Sequence, residues 1–205
     1  MCRDFVADPL PEGLLEELLD QARRAPSAGN TQAVEFCVIT NPDKYWAVTM
    51  SSQRRAGFWQ PGLFRAPVLV ITLTDPVRYL ERYSEPNKAY ASLGESLDAW
   101  GVPYWWVDAG MAVQNLLLGA SANNLGACFF GVFAHEEKVK AAFGVPERYR
   151  IVGTVALGYP NAGANNSGAS NTSNTNAGAQ QLGSGASARR PRRPLQEVVH
   201  YDSMC

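Results

Sequence analysis

Residues 105–133 read WWVDAGMAVQNLLLGASANNLGACFFGVF, and this stretch decides the fold. Apolar or small residues fall almost all round its first part: Val107, Ala109, Met111, Ala112, Val113, Leu116, Leu117 and Ala120. The pattern predicts a helix over 105–126 with no polar face. Such a helix is expected to be buried on every side. In a chain this small, that means a central position or packing against a second subunit. The end of the stretch, ACFFGVF, is predicted as a strand over 127–133.

Working outward, PEGLLEELLDQARRAP places Leu14, Leu15, Leu18, Leu19 and Ala22 at helical spacing, with Pro26 as the stop. VEFCVIT (34–40) has strand composition, and NPDK opens a second helix with Asn41 as cap and Pro42 at its first position. APVLVITLTD (66–75) is a nearly continuous apolar run, read as a central strand. Residues 76–104 mix aromatics with Gly, Pro and Ser, and are expected to hold a loop with short helical turns, the signature of a lid or a partner-facing excursion. HEEKVKAAFG is read as a short helix closed by Gly144, and YRIVGTVALGYP as a further strand. Helices alternating with strands imply an α/β-type layer arrangement around one sheet.

The composition then changes. From Asn161 to Ala188 there is no charged residue, only Asn, Ala, Gly, Ser, Thr, Gln and Leu182. This tract cannot bury enough apolar surface to offset its ordering entropy, so 161–188 is expected to be a flexible linker. RRPRRPLQEVVHYD follows, and 189–205 is expected to complete the same domain as 1–160.

The whole chain excludes several classes of function. Its 205 residues carry 18 basic and 19 acidic groups, net charge −1, which argues against a nucleic-acid partner. No run of about 18 apolar residues spans a membrane, and the N-terminus lacks a secretory pattern. Cys2, Cys37, Cys128 and Cys205 lack C-x-x-C spacing and read as reduced thiols in a cytoplasmic protein. With His135 and His200 they form no metal-site spacing.

Two motifs carry chemistry. Arg189, Arg190, Arg192 and Arg193 read as a solvated charge run, as a nucleic-acid patch that the near-neutral net charge argues against, or as a phosphate clamp, since guanidinium groups match phosphate oxygens with paired hydrogen bonds. There is no P-loop and no dinucleotide fingerprint, and a mononucleotide held by separated segments stays open. RAPSAGNTQ (24–32) gathers short hydrogen-bonding side chains at a helix exit, more than a turn requires. Ser27 either closes that turn or meets a ligand. Asp108 reads as a cap on the first turn of its helix, and the Trp105–Trp106 pair as packing or interface anchors.

Taken together in this order, RAPSAGNTQ, VDAGMAVQNLLLGASANNLGACFFGVF, ALGYP and RRPRRPLQEVVHYD resemble the nitroreductase family of FMN-dependent oxidoreductases. The resemblance implies an α+β fold with a central, mostly antiparallel sheet flanked by helices. It also implies an intertwined homodimer with FMN at the subunit interface. Ser27, Ala28, Asn30 and Gln32 would then approach the isoalloxazine and ribityl groups. The backbone amides of Phe130 and Gly131 would face the reactive ring edge, and Arg3, Arg190 and Arg192 would hold the phosphate. NADH or NADPH would supply hydride for a small-molecule acceptor, a nitroaromatic or a quinone, in ping-pong fashion. No side chain is assigned as a catalytic acid or base.

The chain also departs from the family pattern. Ala33-Val34 stand where the family continues with Pro-Trp, and Met1-Cys2-Arg3 enters inside an N-terminal phosphate motif that the family precedes with a helix. These departures keep open an alternative, a non-catalytic or weakly flavin-binding relative that acts as a binding or regulatory module.

Overall fold

A computed structural model of the chain describes residues 1–161. The predicted linker beyond Asn161, the strand-like LQEVVHY and the arginines at 189–193 lie outside the described residues. Ten helices and strands follow in order among those described: α1 (Leu14–Arg23), β1 (Val34–Ile39), α2 (Pro42–Thr49), α3 (Ser52–Ala56), β2 (Val68–Thr74), α4 (Pro76–Tyr83), α5 (Tyr104–Ala122), β3 (Gly126–Phe130), α6 (Glu136–Phe143) and β4 (Arg150–Gly158). The four strands form one sheet in the order β1-β2-β4-β3, and every neighbouring pair is antiparallel.

β2 explains the layers. All seven of its residues are buried, and successive side chains point to opposite faces. Leu69, Ile71 and Leu73 enter a core with Tyr45 and Trp46 of α2, Val139 of α6, Cys128 and Ala156. Val68 and Val70 enter a second core with Leu18 and Ala22 of α1, and Val113, Leu116 and Ala120 of α5. The unbroken apolar run of β2 therefore marks a strand covered on both faces. It does not mark a parallel one: alternation of helix and strand leaves strand direction open, and the α/β-type reading drawn from it gives way to the mostly antiparallel α+β sheet that the resemblance implied. At Gly153 of β4 there is no room for a side chain. A Cβ there would come within 2.5 Å of the Phe129 ring and 2.8 Å of the Phe130 carbonyl.

Two further expectations change. Residues 76–83 form an eight-residue helix capped by the Asp75 carboxylate, which accepts the Val77 N–H at 3.1 Å. Its Tyr79 is buried while Val77 is exposed, an amphipathic pattern hidden by the aromatic-rich sequence around it. The strand predicted over 127–133 ends at Phe130, and residues 131–133 leave the sheet.

The apolar helix α5 is buried on one side within this chain. Trp105, Asp108, Ala109, Ala112, Val113, Leu116, Gly119 and Ala120 face inward. Trp106, Val107 and Leu118 remain 39%, 42% and 59% exposed. Burial on every side is thus not met by the described residues of one chain.

Leu116 touches the second core from the centre of α5 and is fully buried. Leu116→Ala is expected to cost about 3 kcal/mol, through lost burial and the cavity left behind. Urea unfolding should show a lower midpoint with an unchanged slope.

Candidate functional site

The sequence-predicted residues that fall within the described part of the chain gather in two places. The first is a cleft of about 330 Å³ on the α2 side of the sheet. Its walls include Tyr45 and Trp46 of α2, Arg54 of α3, Phe58, the end of β3 through Phe130, and Gly131. The Trp46 and Phe130 rings stack at 5.7 Å with 19° between planes, and Phe64 meets Trp46 edge-on at 4.9 Å. Phe133, at φ 50° and 88% exposed, also borders the cleft.

Arg3 reaches this cleft because the N-terminal segment is laced to the sheet. The Cys2 N–H donates to the Ala127 carbonyl at 2.8 Å and the Val6 N–H to Tyr159 at 3.0 Å. Phe5 is fully buried between these anchors, and its carbonyl accepts from Arg65 Nε at 2.7 Å. Burial pushes the Cys2 and Cys128 thiols above their ordinary value, which leaves them as packing groups and not as nucleophiles.

The second place is the 27–32 loop, beside a separate cavity of about 120 Å³ bordered by Ser27, Gln32, Asp108 and Ala112. Here Gly29, Asn30 and Gln32 hold left-handed φ values of 61°, 56° and 51°. Glycine takes this conformation freely and asparagine tolerates it, while at Gln32 it costs about 1–2 kcal/mol, so contacts from the surroundings must hold that end of the loop. Within it, Ser27 Oγ accepts the Gln32 N–H at 3.0 Å, and Gln32 Nε2 donates to Asn30 Oδ1 at 3.1 Å. The turn-closing role of Ser27 is thus realised.

From outside the loop, Asp108 Oδ2 accepts the Ala28 N–H at 2.8 Å and the Tyr79 hydroxyl at 2.7 Å. Asp108 is 2% exposed and lies one turn inside α5, which begins at Tyr104. It caps nothing. It joins the loop, α4 and α5 through one buried carboxylate, a role sequence reasoning missed. The available signal was a lone acid on an otherwise apolar helix, since a buried charge requires partners. Two cations of α4 also reach the loop: Arg82 Nε donates to the Gly29 carbonyl at 2.7 Å and Arg78 to the Gln32 carbonyl at 3.1 Å.

The excursion after α4 packs against the same loop. Ala33, Tyr79, Trp100 and Trp105 form a small buried aromatic core, with Ala28, Tyr83, Leu93 and Leu97 against it. Ala33 is fully enclosed by that cluster, so aromatic side chains from elsewhere surround the position next to the family's Trp. Trp105 is a packing residue, while Trp106 faces outward.

One chain does not bring the two places together. The loop leads into β1 at one edge of the sheet, and Phe130 ends β3 at the other edge. Three strand spacings separate those edges, about 14 Å. The residues bordering the cleft and those bordering the loop cavity do not overlap. Arg190 and Arg192 lie outside the described residues.

Comparisons with known proteins agree on one relationship. The model of a family described as the nitroreductase family matches residues 1–159. A protein of Thermus thermophilus named NADH dehydrogenase is 33% identical over 176 residues, 77% of this chain and 81% of the relative. One of Bacillus subtilis, named FMN reductase (NADPH), is 23% identical over 202 residues, 98% of this chain and 69% of the relative. The solved NADPH:FMN oxidoreductase of Vibrio harveyi, complexed with NAD⁺, superposes with a TM-score of 0.66 at 20% identity. That match covers 100% of this chain and 74% of the other.

Asp108→Ala leaves the Ala28 N–H and the Tyr79 hydroxyl without their shared acceptor. It is expected to cost about 2–4 kcal/mol, read from urea unfolding. Burial first, and then the bond to Asp108, push the Tyr79 phenol far above its ordinary value of 10.0. A raised folded value means that this contribution to stability is complete below about pH 10 and is lost as the pH rises further. Tyr79→Phe should therefore flatten the fall of stability above pH 10, measured by urea midpoints across the alkaline range. An unchanged slope would contradict the assignment.

Proposed function

The chain belongs to the nitroreductase family, and from that membership we propose an FMN-dependent oxidoreductase that passes hydride from NADH or NADPH to a nitroaromatic, quinone or similar small acceptor. The observation that carries the reading is the aromatic cleft with Arg3 beside it and the Phe130–Gly131 backbone in its wall. This donor set fits FMN. Stacked aromatic faces suit a flat ring system. A Cβ at residue 131 would lie 3.1 Å from the Phe133 ring, and glycine leaves that space to a ligand or a moving ring.

In the proposed site, the Phe130 and Gly131 N–H groups donate toward the reactive ring edge and favour negative charge developing there. Arg3 holds the phosphate together with Arg190 and Arg192 through charge-assisted bonds. Ser27, Ala28, Asn30 and Gln32 meet the polar ring edge and the ribityl chain. FMN, when bound, supplies the redox chemistry, accepting hydride and returning it to the acceptor. The protein supplies position and electrostatics. Donor and acceptor take turns in one pocket, which gives ping-pong kinetics.

Because the loop and the cleft are apart within one chain, we propose that the loop of one subunit serves the cleft of a second. The exposed apolar stripe of α5 (Trp106, Val107 and Leu118) supports a homodimer, since burying it against a second copy removes apolar surface from water. We further propose that the protein works in the cytoplasm, and that residues 189–205 complete the flavin domain across the dimer.

The purified protein is expected to carry FMN or to take it up, and NADH or NADPH should bleach its visible flavin band. Initial-rate plots should be parallel. Arg3→Gln should weaken FMN by about one to two powers of ten, the worth of one charge-assisted hydrogen bond. A colourless protein that ignores added FMN would overturn the reading. FMN binding far weaker than micromolar would favour a binding or regulatory module instead.

A further inference from the structure

The 27–32 loop turns through three left-handed residues, one of which, Gln32, resists that conformation, and helix α4 holds it from outside. Gly29 and the two non-glycine residues Asn30 and Gln32 all have left-handed φ. Both carbonyls reached by α4 belong to residues in that conformation: Gly29 accepts from Arg82 and Gln32 from Arg78. Arg78 and Arg82 stand four residues apart, so one helix face delivers both guanidinium groups to one loop. Between them Tyr79 reaches Asp108, which takes the Ala28 N–H.

We propose that Arg82 and Arg78 are positioning residues for ligand binding, clamping the Gly29 and Gln32 carbonyls so that the 27–32 loop is set before the ligand arrives. This rests on the reading above, in which Ser27, Asn30 and Gln32 meet FMN. A preset loop does not need to be ordered at the moment of binding, and that raises affinity without adding a contact to the ligand.

Arg82 suits the task because its planar group works on two sides at once. Nε holds Gly29, while Nη1 donates to Glu85 at 2.8 Å and to Asn87 at 2.9 Å. The same side chain therefore ties the loop to the first residues of the excursion after α4. The Tyr83 ring closes the remaining side: a Cβ at Gly29 would fall 2.9 Å from it. An ammonium on a flexible stem keeps the charge but not this fork. Arg150 is a control of equal charge. Its Nε lies 3.2 Å from Glu136 at the start of α6, and among the described residues no hydrogen bond joins its side chain to α4 or to the loop.

The test compares wild type with Arg82→Ala, Arg82→Lys, Arg78→Ala and Arg150→Ala by two readouts. The first is amide hydrogen exchange of Asn30, Thr31 and Gln32 in flavin-free protein. The second is the FMN dissociation constant from fluorescence titration. Arg82→Ala should speed exchange at these amides and weaken FMN, each about tenfold, with Arg78→Ala showing a smaller effect of the same sign. Arg82→Lys should remain nearer to Arg82→Ala than to wild type, and Arg150→Ala should leave both readouts at the wild-type level.

Unchanged exchange in Arg82→Ala would overturn the clamp. So would faster exchange with undiminished FMN affinity, or full rescue by lysine, which would make the effect one of charge alone. If wild type itself fails to bind FMN, the functional reading falls, while the exchange comparison still decides whether α4 holds the loop.

Discussion

A central strand covered on both faces constrains everything else in this molecule. β2 sends Leu69, Ile71 and Leu73 into one core and Val68 and Val70 into the other, and all seven of its residues are buried. Helices therefore occupy both sides of the sheet, and polar ligand chemistry is left to its margins. Those margins are the turn before β1 and the end of β3, which lie at opposite edges. An aromatic cleft with Arg3 stands at one margin and a polar loop at the other. In the proposed reading each supplies half of the flavin's contacts, which is why the proposed site takes its halves from two chains.

The loop half is built at the expense of local backbone preference. Left-handed geometry at Gln32 persists only where surrounding contacts over-determine it. The Asp108 carboxylate is the deepest of those contacts. Burying it costs several kcal/mol without partners, and the Ala28 N–H and Tyr79 hydroxyl are those partners. The same bonds join α4, α5 and the loop. A polar group that is costly to bury alone thus fixes three segments distant in sequence. The aromatic cluster of Tyr79, Trp100 and Trp105 keeps water away from it.

Much of this was legible in the sequence, for physical reasons. Helical spacing of leucines marks α1, Asn41-Pro42 marks the start of α2, and Gly144 ends α6 at φ 65°. Each is a local signal, set by residues within a turn of one another. Strand direction was not legible in the local pattern, because the apolar run of β2 records burial and not the direction of its neighbours; the mostly antiparallel sheet was implied only by the resemblance to the family, and the structure has it. α4 was hidden because Tyr79, Tyr83 and Pro76 resemble loop composition, although an Asp cap and a proline at the first position stood at its start. Asp108 was misread for the opposite reason: one acid near a helix start looks like a local cap, while its actual partners are 29 and 80 residues away. The greasy outer face of α5 was visible in the sequence, but one chain leaves Trp106, Val107 and Leu118 uncovered.

The central claim is that loop and cleft meet between two copies, and subunit mixing tests it most directly. One variant would carry Asn30→Ala and Gln32→Ala, disabling the loop, and the other Arg3→Gln, disabling the cleft. After each is shown to bind FMN poorly alone, the two are unfolded together and refolded as a mixture. Mixed dimers then contain one undamaged loop opposite one undamaged cleft, and FMN binding should return in a fraction of the sites. If the mixture binds no better than its components while wild type survives the same treatment, loop and cleft do not share a ligand across two chains.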